Sequence, residues 1–370
     1  MTDTAPPRRH PVRGHLRARA RLAVPVVAGL ALAGCGPSPV DMVEHPVTTT
    51  PSRMAGERLQ RAAVPEESCA PAPAAPEIDG AGDRAVDSAG PGPDRVEVPR
   101  SPERILALGA GAVDVACALG LQDLVVGTSG LPRDADAYLP RPLVELPTLD
   151  PASEDVAGDA RALRPDLIVL ADTGDLDPAV VYALGDVAPT VVYDADVLNW
   201  ADATEAVADT YGRPRAGGEL LLDVIALAES TAERTTPSDT RVSLLSVEGD
   251  EATVQRPDTL GSLMLEAVGA QRPPGQRTRD GEGLPPLPES PLAGDELDGD
   301  VIFVVVGGDP GAEERARAAF ADDRFQDLGA VGARRIFVVD RAVWEGAGPV
   351  AARAVLDDIS DSINGVAPDG

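Results

Sequence analysis

The sequence of 370 residues contains no lysine, and all 32 of its basic residues are arginine. The three histidines, His10, His15 and His45, lie near the N-terminus, which excludes a histidine metal site, a Ser-His-Asp triad and a histidine general base from the rest of the chain. The 61 acidic residues give a net charge of −29, which argues against nucleic acid as a partner. Aromatic residues make up only 3%, yet 43% of the residues are hydrophobic, so we expect a large aliphatic core. The length favours two lobes.

The first 34 residues have the features of a bacterial lipoprotein signal peptide. Arginines precede an apolar run at residues 22–33, which is too short to span a membrane permanently. The run ends in Leu32-Ala33-Gly34-Cys35, which resembles a lipobox, whose cysteine is lipidated and becomes the new N-terminus. We expect lipidated Cys35 to anchor the protein on the outer face of the cell membrane. A general signal peptide is the alternative, and the export route, Sec or twin-arginine, stays open.

Residues 35–94 are rich in proline and small residues, which predicts a flexible tether. Besides Cys35, the only cysteines of the mature chain are Cys69, within this tether, and Cys117. Two such cysteines outside the cytoplasm usually pair, so we predict a disulfide that attaches the tether to the first lobe. The alternative is a buried free Cys117 and a loose Cys69.

Short apolar strands alternate with helical segments through the rest of the chain, which predicts parallel α/β architecture. The predicted strands cover residues 104–108, 124–127, 166–170, 189–193, 242–247, 301–306 and 335–339. Residues 202–234 have a helical pattern, and at ~1.5 Å per residue the proline-free part from 216 to 234 is long enough to join two lobes. We therefore predict an N-terminal lobe (95–201), an inter-lobe helix (202–236) and a C-terminal lobe (237–370). A ligand would lie in the cleft beyond the carboxyl ends of the strands.

Several ordered segments resemble the helical-backbone metal-chelate receptors, the substrate-binding proteins of ABC importers for ferric siderophores, haem and cobalamin. They are PERILALG at 102–109, ALGL at 118–121, VVG at 125–127, LRPDLIV at 163–169 and the closing segment 340–359. The surroundings of Cys69 and Cys117, together with residues 272–277, look like actinobacterial iron-dicitrate or siderophore-binding lipoproteins. The resemblance covers residues 95–365. It implies the class III periplasmic-binding-protein fold, two Rossmann-like lobes joined by a single long α-helix, in a monomeric receptor that binds without catalysis and needs no intrinsic cofactor.

The strongest candidate for the wall of the cleft is Trp344, a flat side chain in a glycine-rich turn after a strand, with Glu345 beside it. A core tryptophan is the alternative. Arg256 provides a planar fork that suits a carboxylate or hydroxamate oxygen, although a surface pair with Asp258 explains it equally well.

In the first lobe, the turn Gly109-Ala110-Gly111 joins a strand to a helix, so its N–H groups are candidates for binding an anion. Further candidates in comparable loops are Leu131, Tyr138, Thr148 and Thr173. Tyr138 would line the wall or lie in a surface loop.

The predicted ligand is a ferric siderophore, with haem as the alternative. The acidic composition disfavours highly anionic ferric citrate, so we favour a neutral hydroxamate or mycobactin-like chelate.

The resemblance implies that acidic residues on each lobe contact the permease of the importer. Asp155, Asp159 and Glu289 are candidates, although an ordinary solvated acidic face accounts for each. A rival hypothesis is an envelope interaction protein that keeps the fold without transport. An enzyme is disfavoured because lysine is absent and no acid pair stands out.

Overall fold

The computed structural model describes residues 65–78, 80, 82–235, 240–248, 251–276, 297–307 and 310–363. The expected signal peptide, Cys35, the first part of the expected tether and Glu289 lie outside these residues. Within the described part of the chain, no helix combines the length and the apolar character needed to cross a bilayer.

The chain is folded well before residue 94, so the predicted extent of the tether is wrong. Strands β1 (Asp83–Asp87) and β2 (Arg95–Pro99) form an antiparallel hairpin. Each strand buries one valine, Val86 and Val98, against the first lobe. Composition alone predicted flexibility because the hairpin strands bury only these two side chains fully, with Val96 partly buried against the same core.

The segment before the hairpin is joined to the first lobe covalently and through its backbone. Cys69 and Cys117 form a disulfide, as predicted. The amides of Ala70 and Ala74 donate hydrogen bonds to the carbonyls of Cys117 and Leu119, at 3.0 and 2.8 Å. Backbone groups near the core need such partners, and here the loop finds them in the end of a helix.

The N-terminal lobe is built on a parallel sheet of four strands in the order β4-β3-β5-β6. The strands are β3 (Ile105–Leu108), β4 (Val125–Ser129), β5 (Leu167–Asp172) and β6 (Thr190–Asp194). The helices are α1 (Ala110–Ala118), α2 (Arg141–Val144), α3 (Val156–Leu163) and α4 (Pro178–Gly185). Every residue of β3 is buried, as expected for a central strand covered on both faces.

The predicted inter-lobe stretch is two helices, α5 (Trp200–Thr210) and α6 (Pro214–Thr235). The break occurs at Gly212, whose φ of 77° is left-handed. Pro214 then starts α6, where a missing N–H is tolerated. The carboxylate of Glu77 accepts the next two amides of α6, at 2.7 and 2.9 Å, and so caps this helix from the preceding segment.

The C-terminal lobe has a four-stranded sheet in the order β10-β9-β7-β8, with β8 antiparallel at its edge. The strands are β7 (Val242–Glu248), β8 (Glu251–Val254), β9 (Val301–Val306) and β10 (Ile336–Asp340). The helices are α7 (Leu260–Ala267), α8 (Ala312–Phe320), α9 (Asp323–Gln326), α10 (Gly329–Gly332), α11 (Arg341–Trp344) and α12 (Pro349–Ile363).

The two lobes share one hydrophobic cluster. It contains side chains of α1 from the first lobe, of α6, and of β9, α7 and α12 from the second. Helix α12 packs against α1, α6 and α7. The lobes are therefore in direct contact at these helices, and any groove between them is bounded by that contact.

Candidate ligand-binding site

The turn between β3 and α1 lies where the two lobes meet. A Cβ added at Gly109, whose φ is 148°, would lie 2.5 Å from the Tyr193 hydroxyl, and one added at Gly111 would lie 2.8 Å from the carbonyl oxygen of Ala347 in the second lobe. The amide of Ala112 already donates to the Tyr193 hydroxyl, at 3.2 Å. The two glycines thus permit close packing rather than the expected approach of an anion.

Ala110, between the two glycines, is the member of the predicted turn that stays partly exposed. It follows the carboxyl end of β3, where a ligand of such a sheet is expected. Of the three predicted residues, Ala110 is therefore the one whose surface a ligand can contact.

A buried carboxylate links the lobes one helical turn beyond Gly111. Asp114 on α1 accepts hydrogen bonds from the amides of Val350 and Ala351, the first turn of α12, at 2.8 and 3.0 Å. Burial raises the pKa of Asp114 from 3.8 to about 6, against the opposing effect of these two hydrogen bonds and of Arg353. Sequence reasoning missed this residue, although a lone acid within the apolar segment of α1 was a usable signal.

Four polar side chains form a connected group in the second lobe, around the carboxyl end of β7 and the residues that follow β8 and β10. Arg341 donates to the Ser246 hydroxyl at 3.1 Å and lies 3.4 Å from the carboxylate of Glu345. The Gln255 amide donates to the same Glu345 oxygen at 2.7 Å. The predicted Glu345 is exposed and is held in place from two sides. Arg341, Gln255 and Ser246 were not predicted.

Arg256 is exposed and pairs with Asp258, which was the alternative to a ligand contact in the sequence analysis. Its Nε and Nη2 lie 2.8 and 2.5 Å from the two carboxylate oxygens. The pairing raises the pKa of Arg256 and lowers the pKa of Asp258. Arginine has five N–H donors and these bonds use two, so a side chain that is 58% exposed retains donors for a ligand oxygen.

Trp344 does not line a groove, and its prediction as a wall of the cleft is wrong. Its side chain is wholly buried, with its ring 4.7 Å from that of Phe303, and its Nε1 donates to Asp358 at 2.8 Å. A Cβ added at Gly261 of α7 would lie 2.4 Å from the indole ring. The tryptophan therefore fills the core of the second lobe between the sheet and α7.

The remaining predicted residues occupy different environments. Thr173 is exposed at the carboxyl end of β5, and its hydroxyl donates to Asp175. Leu131 is partly buried against the shared cluster, and Tyr138 is buried, at 2% exposure. Thr148 is exposed beside β4, the edge strand of the first sheet.

The loops that contain Leu131 and Tyr138 reach the second lobe. The helical turn Ala135–Ala137, between the two residues, packs against α11. Both residues therefore lie close to the seam between the lobes, although the buried Tyr138 offers no surface to a ligand.

Aspartates dominate the rim of the first lobe beyond β5 and β6. Asp172 accepts the amide of Gly174 at 2.7 Å, and Asp194 accepts the amide of Asp196 at 2.9 Å. These carboxylates thus stabilise their own turns. Among the described residues, no group of three or more metal-binding side chains is present.

A surface pocket of about 770 Å³ lies beside the disulfide, at the amino ends of the strands of the first sheet. Its lining includes Glu66, Glu67, Asp123 and the start of β4 at Val125. Because the strands are parallel, this pocket and Thr173 lie at opposite ends of the sheet, with Thr173 at the carboxyl ends of the strands.

The permease candidates Asp155 and Asp159 are exposed at the start of α3.

Comparison with known proteins identifies the fold. No protein-family model matches the sequence. The achromobactin-binding periplasmic protein of Dickeya dadantii (strain 3937) is 24% identical over 276 residues, which is 72% of this chain and 88% of that protein. Staphylococcus aureus SirA complexed with staphyloferrin B superposes with a TM-score of 0.59 at 20% identity, over 76% of this chain and 98% of SirA.

A binding protein of the FhuD fold family from Bacillus subtilis, a component of a ferrichrome ABC transporter, gives a TM-score of 0.60 at 18% identity. The match covers 74% of this chain and 99% of that protein. The expected class III periplasmic-binding-protein fold is therefore confirmed, as is the resemblance to the substrate-binding proteins of siderophore importers.

Proposed function

We propose that this chain is an extracytoplasmic receptor that binds a ferric siderophore between its lobes and delivers it to an ABC importer. The observation that supports this most strongly is the structural match of 76% and 74% of this chain to 98% and 99% of SirA, solved with staphyloferrin B, and of the ferrichrome-transporter component. The achromobactin-binding relative, aligned over 276 residues, points to the same ligand class.

Of the residues that we assign to the ligand, Ala110, Thr173 and Glu345 follow the carboxyl ends of parallel strands. Arg256 instead follows the antiparallel edge strand β8 and adjoins Gln255, which donates to Glu345. Ala110 and Thr173 contribute from the first lobe, and Arg256 and Glu345 from the second. Arg256 supplies N–H donors for an oxygen of the chelate. The acidic rim beyond β5 and β6 would repel a strongly anionic chelate, which supports a neutral hydroxamate or mycobactin-like ligand.

We also propose that the receptor is a monomer anchored by lipid on Cys35. The acidic candidates for contact with the permease remain Asp155, Asp159 and Glu289. The match of the sequence before Cys35 to a lipobox supports the anchor. Metabolic labelling with a palmitate analogue tests it, because a Cys35→Ala variant is expected to lose the label and the membrane fraction.

Calorimetric titration with a panel of ferric siderophores and haem tests the function. We expect saturable one-to-one binding of at least one ferric siderophore, with a Kd that rises at least fivefold in Arg256→Ala. Arg324→Ala is the matched control. Arg324 lies on α9 and forms an equivalent ion pair with Asp322, which is also two residues away in sequence. Its Kd should stay within twofold of the wild-type value.

Two outcomes would contradict the proposal. Binding of haem alone would assign the receptor to haem. A folded protein that binds neither haem nor any ferric chelate would favour an envelope interaction protein that retains the fold without transport.

A further inference from the structure

Asp114 lies in a close contact between the two lobes. The residue belongs to α1 of the first lobe, and both of its hydrogen bonds go to the first turn of α12 in the second lobe. A Cβ added at Gly348, just before α12, would lie 2.5 Å from the carboxylate. Nearby, a Cβ at Gly111 would lie 2.8 Å from Ala347. No larger side chain fits at either glycine, so the spacing of the lobes is fixed here.

The carboxylate suits this place because it accepts two N–H groups at once from the positive end of a helix. Helix α12 has 15 residues and also packs against α6 and α7. A displacement of its first turn would therefore be carried into the rest of the second lobe. The Gly109–Gly111 turn and its partly exposed Ala110 lie one helical turn from Asp114, so the same displacement would change the groove.

We propose that Asp114 is a positioning residue of the ligand site, whose carboxylate sets the orientation of the second lobe against the first and thereby the affinity for the chelate. This inference rests on the proposed function for its effect on affinity. The docking of α12 onto α1 through Asp114 does not depend on the proposed function and is tested in the protein without ligand.

The position of Asp114 makes docking dependent on pH. The ionisable groups that face it are Arg353 of α12, the hydroxyl of Tyr193 on β6 and, through the carbonyl of Ala112, the hydroxyl of Tyr211. Both tyrosines stay neutral because burial raises the pKa of each above its usual value.

The sign of the pH effect follows from the change in the pKa of Asp114. The pKa is about 6 when the lobes are docked and near 3.8 when the carboxyl group is hydrated, so the docked form binds the proton more tightly. Acidification from pH 7.5 to pH 5 should therefore shift the docking equilibrium about tenfold toward the docked form. Above pH 7 the equilibrium should level off.

Hydrogen–deuterium exchange of the Val350 and Ala351 amides, in the full chain without ligand, tests the proposal. After correction for intrinsic exchange, we expect about tenfold stronger protection at pH 5 than at pH 7.5 in the wild type. Asp114→Asn cannot ionise and should abolish this pH dependence. It should also weaken the protection at both pH values, because its Nδ2 is a donor and cannot accept the second backbone amide. Asp166→Asn is the matched control, because Asp166 also accepts two backbone amides, at 2.8 and 2.9 Å, but within the first lobe. It should retain the dependence.

The second readout is affinity at pH 7.5, where Asp114→Asn should raise the Kd for the bound siderophore at least fivefold and Asp166→Asn should leave it within twofold. The pH series on the wild type needs no variant, so it remains decisive if a variant does not fold. Equal protection at both pH values, or an unchanged Kd in folded Asp114→Asn, would overturn the proposal. If the wild type binds no siderophore, the proposed function fails, while the exchange data still test the docking of α12.

Discussion

Breaking the disulfide between Cys69 and Cys117 should destabilise the fold by an amount that can be worked out from its position. The cysteines are 48 residues apart, and the chain-entropy model gives a loop of this size about 4 kcal/mol. For a domain of this size that loss corresponds to a fall in Tm of roughly 6 °C. Urea unfolding of the oxidised and the reduced protein, followed by circular dichroism, measures the difference directly.

The control for this experiment is the double variant Cys69→Ala, Cys117→Ala, in which the reductant should have no effect. The hydrogen bonds of the Ala70 and Ala74 amides to the end of α1 do not depend on the bridge. If reduction of the wild type lowers the free energy of unfolding by less than about 1 kcal/mol, those bonds hold the segment in place and the entropic reasoning is refuted.

Two further substitutions test the packing of the second lobe and of the seam. Trp344→Phe should cost about 2–3 kcal/mol in urea unfolding, because it removes buried volume and leaves Asp358 without its indole donor, while the Kd for the ligand should stay within twofold. A fivefold rise in that Kd would show that Trp344 contributes to ligand binding. Gly348→Ala should cost about 1–3 kcal/mol and increase amide exchange in the first turn of α12, because its Cβ would lie 2.5 Å from the Asp114 carboxylate. Unchanged exchange in that turn would contradict the proposed tight contact.

The parallel strands were predictable because burial on both faces leaves continuous apolar runs in the sequence. The strand predicted at 301–306 coincides with β9, whose six residues are all buried. The long helix was predicted from its apolar stripe, and the structure extends it to Pro214–Thr235. The hairpin strand β1 was missed because a single buried valine, Val86, gives no recognisable period.

The candidate site was less predictable because its residues depend on tertiary contacts. Gly346 and Gly348 suggested an exposed loop around Trp344, but both glycines are required by close packing. A Cβ at Gly346 would lie 2.6 Å from Ala351, and one at Gly348 would meet Asp114. A glycine in the sequence indicates that another group packs closely against the backbone, but it does not identify whether that group is a ligand or another part of the chain.

The measurement that tests the central claim most directly is a map of amide exchange with and without a saturating ferric siderophore. The account predicts simultaneous protection of the loops around Thr173 in the first lobe and Arg256 in the second. Protection confined to one lobe, or located at the pocket beside Cys69, would contradict a ligand held between the lobes.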